Sequence, residues 1–126
     1  MQFLEIILYA FVIFSVSLHE PVYDKIAVAS VIHNRATVKD YLTVLTKPKQ
    51  FSCLNNYKII FDNITKIPER QSEFALCLKI AGALYFGRSD PTTTATHYTR
   101  KEVSCTWMSG MKVVLETKHH KFMEAE

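Results

Sequence analysis

Asp24-Lys-Ile-Ala-Val-Ala-Ser-Val-Ile-His-Asn-Arg-Ala-Thr37 is the stretch that decides the fold. Ile26, Ala27, Val28, Ala29, Val31 and Ile32 spread apolar side chains over most of a helix's circumference, and Pro21 suits the approach to its first turn. A helix apolar on most faces belongs at the centre of a core. Ser30 is its one small polar interruption, with a size that permits a close helix contact. Asn34 and Arg35 end it, and the cation is favoured at the negative end of the helix dipole.

The next clear element is Ser72 to Phe86. Phe74, Cys77, Leu78, Ala81, Leu84 and Tyr85 follow the i, i+3, i+4, i+7 stripe of an amphipathic helix. Ser72 is placed to cap it and Gly87 to end it in the left-handed conformation. Between the two helices, residues 38–70 read as irregular, because Lys47-Pro48-Lys49, Asn55-Asn56 and Ile67-Pro68 interrupt any period. Tyr41, Leu42, Val44 and Leu45 suggest one short helical turn. After Pro91 the character changes: Thr92 to Thr99, Lys112 to Thr117 and His119 to Met123 read as strands. The expected class is α+β, mainly α, with a small β element at the C-terminal end.

Composition bounds the rest. The 126 residues suffice for one domain, and 48% hydrophobic against 21% charged residues exclude a disordered or low-complexity chain. A net charge of +3 suits an anionic polymer or surface but is no nucleic-acid footprint, so no nucleic-acid partner is expected. Cys53, Cys77 and Cys105 are too few and too scattered for a disulfide framework or a zinc site. Phe3 to Leu18 is strongly apolar, yet only thirteen uncharged residues separate Glu5 from His19. That is short of the roughly 18 needed to span a bilayer. The stretch fits both a signal-like segment and a first core helix, and any membrane contact is expected only through residues 1–18.

Residues able to carry chemistry gather at His19-Glu20, Gln50-Phe51-Ser52, Thr96-His97-Tyr98, Trp107 and His119-His120. A carboxyl at Glu20, between an apolar segment and a core helix, is expected to be desolvated, with a raised pKa suited to a general acid. The competing role is simply to stabilise the helix dipole. His97, His119 and His120 with Glu20 include good zinc ligands, but adjacent histidines on a strand face opposite ways and no H-E-x-x-H is present. Cys53 or Cys105 with His97 is a nucleophile pair without supporting spacing. Phe51, Tyr98 and Trp107 offer apolar faces for sugar rings, or ordinary core packing.

Three stretches in order resemble the cell-wall hydrolase family typified by the spore-cortex-lytic enzyme SleB, which includes phage lysis proteins. His19-Glu-Pro-Val-Tyr-Asp-Lys-Ile-Ala-Val-Ala-Ser-Val-Ile-His-Asn-Arg35 resembles its E-A-R-G-E-P…A-V-A-x-V-x-x-N-R. Lys49-Gln-Phe-Ser-Cys53 is similar to its Q-F-S signature. Asp90-Pro-Thr…Ala95-Thr-His-Tyr98, continued by Trp107 and His120-Lys-Phe122, resembles its G-A-x-H-Y…N-H-x-F. The resemblance covers about residues 19 to 123.

It implies a lysozyme-like helical domain over residues 19–126 that cleaves peptidoglycan, after a hydrophobic segment at 1–18. The reaction implied is that of a lytic transglycosylase using one glutamate. The family's amidase label and a catalytically silent, wall-binding member are the alternatives. Glu20 is the implied acid/base, and Gln50, Phe51, Ser52, Thr96, His97, Tyr98, Trp107 and His120 the implied substrate contacts. No metal or other cofactor is expected. The partner is the glycan strand, the protein a monomer, and its place of action the bacterial wall, as a phage lysis protein or a secreted or spore-associated one. Two registers compete at the catalytic position. Without gaps, Glu20 matches the second family glutamate and Val16 falls opposite the first, catalytic one. A four-residue deletion instead matches His19-Glu20 to the first pair. The second register is favoured, because His often precedes that glutamate in the family and Glu5 is too far upstream.

Overall fold

The computed structural model describes residues 2–37, 39–47 and 57–125. Its helices are α1 (Gln2–Val16), α2 (Val22–Ala36), α3 (Tyr41–Leu45), α4 (Tyr57–Lys66) and α5 (Pro68–Tyr85). The strands β1 (His97–Arg100), β2 (Met111–Glu116) and β3 (His120–Ala125) form an antiparallel sheet in the order β1-β3-β2. The class is α+β, mainly α.

Two helices share the centre. In α2, the run from Ala27 to Ile32 is buried throughout, as its all-round apolar surface requires. In α1, Tyr9, Ala10, Phe11, Val12, Ile13 and Phe14 are buried in succession. Phe14 meets Phe74 of α5 edge-on, with ring centroids 5.9 Å apart. The same core takes in Cys77, Ala81 and Leu84 from the α5 stripe and Phe122 from β3. No helix among the described residues is long and apolar enough to cross a membrane.

Three expectations need correction. Residues 38–70 are not irregular throughout: α4 occupies Tyr57–Lys66, and α5 starts four residues before Ser72. Ile67-Pro68 looked like a break, but proline at the first helical position initiates a helix because its missing N–H has no partner to lose there. Tyr57, Ile60, Phe61 and Ile64 carry the i, i+3, i+4, i+7 spacing of α4, a short stripe outweighed in the sequence by the breakers on either side; Ile60 and Ile64 pack inward, while Tyr57, Ile59 and Phe61 stay exposed. Thr92 to Thr96 is not strand either. Its backbone is held mainly by α2 side chains: Thr92 N donates to Ser30 Oγ (3.0 Å), Asn34 Nδ2 donates to Thr93 O and Ala95 O (2.8 Å each), and Arg35 Nε donates to Thr96 O (2.6 Å), while Thr96 N donates to Met123 O of β3 (3.0 Å).

The end of α5 bears out Gly87, which takes φ +70°. Its amide donates to Leu84 O (3.1 Å) and that of Arg88 to Ala83 O (2.8 Å), closing a Schellman motif. A Cβ at Gly87 would meet nothing within 4 Å, so only backbone strain opposes a side chain. Gly87→Ala is therefore expected to cost about 1 kcal/mol. Urea unfolding should show a lower midpoint with an unchanged slope; an unchanged midpoint would contradict this account of the helix end.

Candidate active site

The turn between α1 and α2 carries Glu20. Ser17 Oγ donates to Ile13 O, and Glu20 N donates to Ser17 O (3.0 Å). Buried Lys25 reaches back to donate to Ser17 O and to Glu73 Oε1 (2.8 Å), and Glu73 Oε1 also accepts from His19 N (3.1 Å). The turn is thus tied to α5 by one carboxylate. His19 sits at φ +68°, the left-handed region that favours glycine. In the gapless register this is the residue opposite the family's glycine.

Glu20 Oε2 accepts from His119 Nδ1 at 2.6 Å, in a pair where the carboxylate side chain is 12% exposed and the imidazole 40%. Contrary to the raised pKa expected from an apolar setting, that hydrogen bond holds Glu20 below the usual glutamate range. Burial opposes it, while the charges of His119, His120 and Arg100 assist. His120, the next residue, is buried, and burial lowers its pKa. Its Nδ1 has no hydrogen-bond partner among the described residues, and its ring meets Tyr98 edge-on at 5.9 Å.

Thr96, His97, Tyr98 and Trp107 converge on one cleft of about 990 Å³, whose wall also includes Asn34, Arg35, Lys39, Thr43, Lys47 and Met111. Thr96 Oγ1 bonds His97 Nδ1 (3.0 Å), and the His97 ring lies 5.6 Å from that of half-exposed Trp107. Burial, then the charges of Arg35 and Lys47, lower the pKa of His97. Glu20 does not line this cleft. It precedes the first turn of α2, whereas Asn34 and Arg35 lie in the last turn, and a 15-residue helix is about 22 Å long. Strand β1 connects the two places: His97 and Tyr98 wall the cleft, and Arg100 pairs with His120 beside the Glu20–His119 contact. Gln50, Phe51, Ser52 and Cys53 lie outside the described residues.

Sequence reasoning missed His119 as the partner of Glu20, having weighed it only as a metal ligand. It also missed the cationic wall of the cleft, reading Arg35 as a dipole partner alone. Local sequence holds no sign of the first contact, which joins residues 99 apart. Among the described residues, no group of three or more His, Cys, Asp or Glu is placed to hold a metal ion. A family model described as Cell Wall Hydrolase matches residues 19–123. No curated protein and no solved structure matches the chain.

Proposed function

The chain belongs to the Cell Wall Hydrolase family, which hydrolyses peptidoglycan, and from that premise we propose that it cuts the glycan strand as a lytic transglycosylase, with Glu20 as the acid and then the base. The observation that carries this reading is the Glu20–His119 pair at one end of β1, with the aromatic cleft at the other. A glycan laid along β1 would reach from the cleft to the carboxyl.

Glu20 gives a proton to the oxygen leaving the MurNAc–GlcNAc bond. It then takes the proton of the sugar's own C6 hydroxyl as that oxygen closes a 1,6-anhydro ring on C1, so the carboxyl ends as it began. One carboxyl suffices because the nucleophile is built into the substrate and acts at high effective concentration, unlike the two-carboxylate scheme of most glycosidases. In the free protein His119 donates to Glu20 and favours its ionised form. A bound sugar expels water from the carboxyl, and desolvation favours the neutral acid that the first step requires. Mass spectrometry of a sacculus digest tests the reading. Anhydro-muropeptides support it, whereas released stem peptides beside intact glycan indicate an amidase.

His119 is expected to set the working pH. Removing it lifts the restraint that lowers Glu20, so in His119→Ala the alkaline limb of kcat/KM, where the acid loses its proton, should move to higher pH. A limb that stays in place would exclude His119 as the group that tunes Glu20.

A second reading, binding of the wall without cleavage, is favoured by one observation. His19 occupies a glycine-like conformation, as the gapless register requires, and that register puts Val16 opposite the catalytic glutamate.

A further inference from the structure

We propose that the cleft at the C-terminal end of α2 is an oxyanion-binding subsite, which selects wall polymer bearing acidic groups over neutral glycan. The inference rests on the glycan-strand reading above and names the chemistry its distal subsite prefers. Arg35, Lys39 and Lys47 all line the cleft, and among the described residues no Asp or Glu lines it. Among the described residues, no carboxylate lies within ion-pair distance of any of the three.

The one acidic neighbour in sequence is otherwise engaged. Asp40 caps α3, its Oδ1 accepting from Thr43 N (2.8 Å) and its Oδ2 from Thr43 Oγ1 (2.9 Å). From Tyr41 to Phe61 the sequence contains no further acidic residue. The positive field is felt inside the cleft: beyond burial, the charges of Arg35 and Lys47 lower the pKa of His97.

Three like charges around one concavity repel one another, and a bound anion relieves that repulsion. Arg35 is anchored through Nε on Thr96 O (2.6 Å), which fixes the plane of its guanidinium. Its terminal N–H groups match a carboxylate or a phosphate. Trp107, 47% exposed, offers the apolar face that a sugar or peptide stem needs beside the charge. At about 990 Å³ the cleft has the size of a site for an extended ligand, not a single ion. The oxyanion has two sources in a bacterial wall: the carboxylates of muramyl peptide stems and the phosphates of teichoic polymers.

The intact chain carries a single tryptophan, so fluorescence of Trp107 reports on this cleft directly. Three probes are titrated: a soluble muropeptide with free carboxylates, polyglycerol phosphate, and neutral chitotetraose. At least one anionic probe is expected to bind about tenfold tighter than chitotetraose at low salt, and to weaken as salt is raised. Lys39→Gln with Lys47→Gln, both on exposed side chains, should remove that preference. Preference for the muropeptide assigns the source to stem carboxylates; preference for polyglycerol phosphate assigns it to phosphate. Equal binding of chitotetraose, no binding of any probe, or a preference unchanged in the double variant overturns the inference. Cleavage lost in Glu20→Gln with charge preference retained supports both readings. Cleavage without charge preference overturns this one alone.

Discussion

Glu20→Gln is expected to abolish glycan cleavage, lowering the rate by about 10²–10⁴-fold, the range a positioned acid/base supplies. Anhydro-muropeptides should vanish from the digest while binding to sacculi persists. The substitution keeps the shape of the side chain and an oxygen able to accept from His119, so it removes the transferable proton and little else. The pair is partly exposed on the His119 side, and its loss should change stability by no more than about 1 kcal/mol. A large drop in rate with a near-unchanged Tm is therefore the signature of chemistry at Glu20. The binding-only reading makes the opposite forecast: wild type and Glu20→Gln are equally inactive, both bind sacculi, and Val16→Glu creates cleavage by restoring the family's first glutamate. Equal activity in wild type and Glu20→Gln would remove Glu20 from the mechanism.

Glu73→Gln is expected to be among the most destabilising single changes in the protein. Lys25 is 2% exposed, and Glu73 Oε1 lies 2.8 Å from its ammonium. Removing the negative charge leaves a buried cation without its counter-ion, which costs about 3–5 kcal/mol. That is a large share of the roughly 5–15 kcal/mol that holds a domain together. Replacing both partners by apolar residues, Lys25→Met with Glu73→Leu, should cost less than Glu73→Gln alone, because no unpaired charge remains buried. Urea unfolding of the three proteins decides the matter. If the double variant is the less stable, the ion pair itself, not the orphaned charge, carries the energy.

The same carboxylate links stability to pH. Burial pushes Glu73 up, but the Lys25 hydrogen bond, the His19 amide and the charges of both residues outweigh it, so its pKa is lowered overall. A group depressed in the folded state contributes stability that is present above its unfolded pKa, about 4.3, and lost as pH falls through the folded value. Acid unfolding below that range should accordingly be milder in the Lys25→Met/Glu73→Leu protein. Glu73 also receives the His19 amide, so the same carboxylate holds the turn that presents Glu20.

Much of this molecule was legible in local pattern. The all-round apolar run of α2, the α5 stripe with its Gly87 terminus, and the short strand segments of β2 and β3 each depend on residues within one or two turns or one strand. The class followed from those periods, with the helices placed before the small sheet, and the family resemblance was legible too, since motifs are also local strings. The exceptions are instructive. The stripe of α4 is present at Tyr57, Ile60, Phe61 and Ile64, but it spans only two turns between segments that read as breakers, and Thr92 to Thr96 has strand-like composition but makes most of its backbone hydrogen bonds with Ser30, Asn34 and Arg35.

The site was decided elsewhere. Sequence alone nominated Glu20, Gln50, Phe51, Ser52, Thr96, His97, Tyr98, Trp107 and His120 as candidates. Only the tertiary structure decided that Glu20 meets His119, that Lys25 meets Glu73 across 48 positions, and that Arg35, Lys39 and Lys47 face one cleft with the aromatics. Periodicity reports which face of an element is buried. It carries no information on which distant charge arrives there, and that arrival lowers the pKa of Glu20 where burial alone would have raised it.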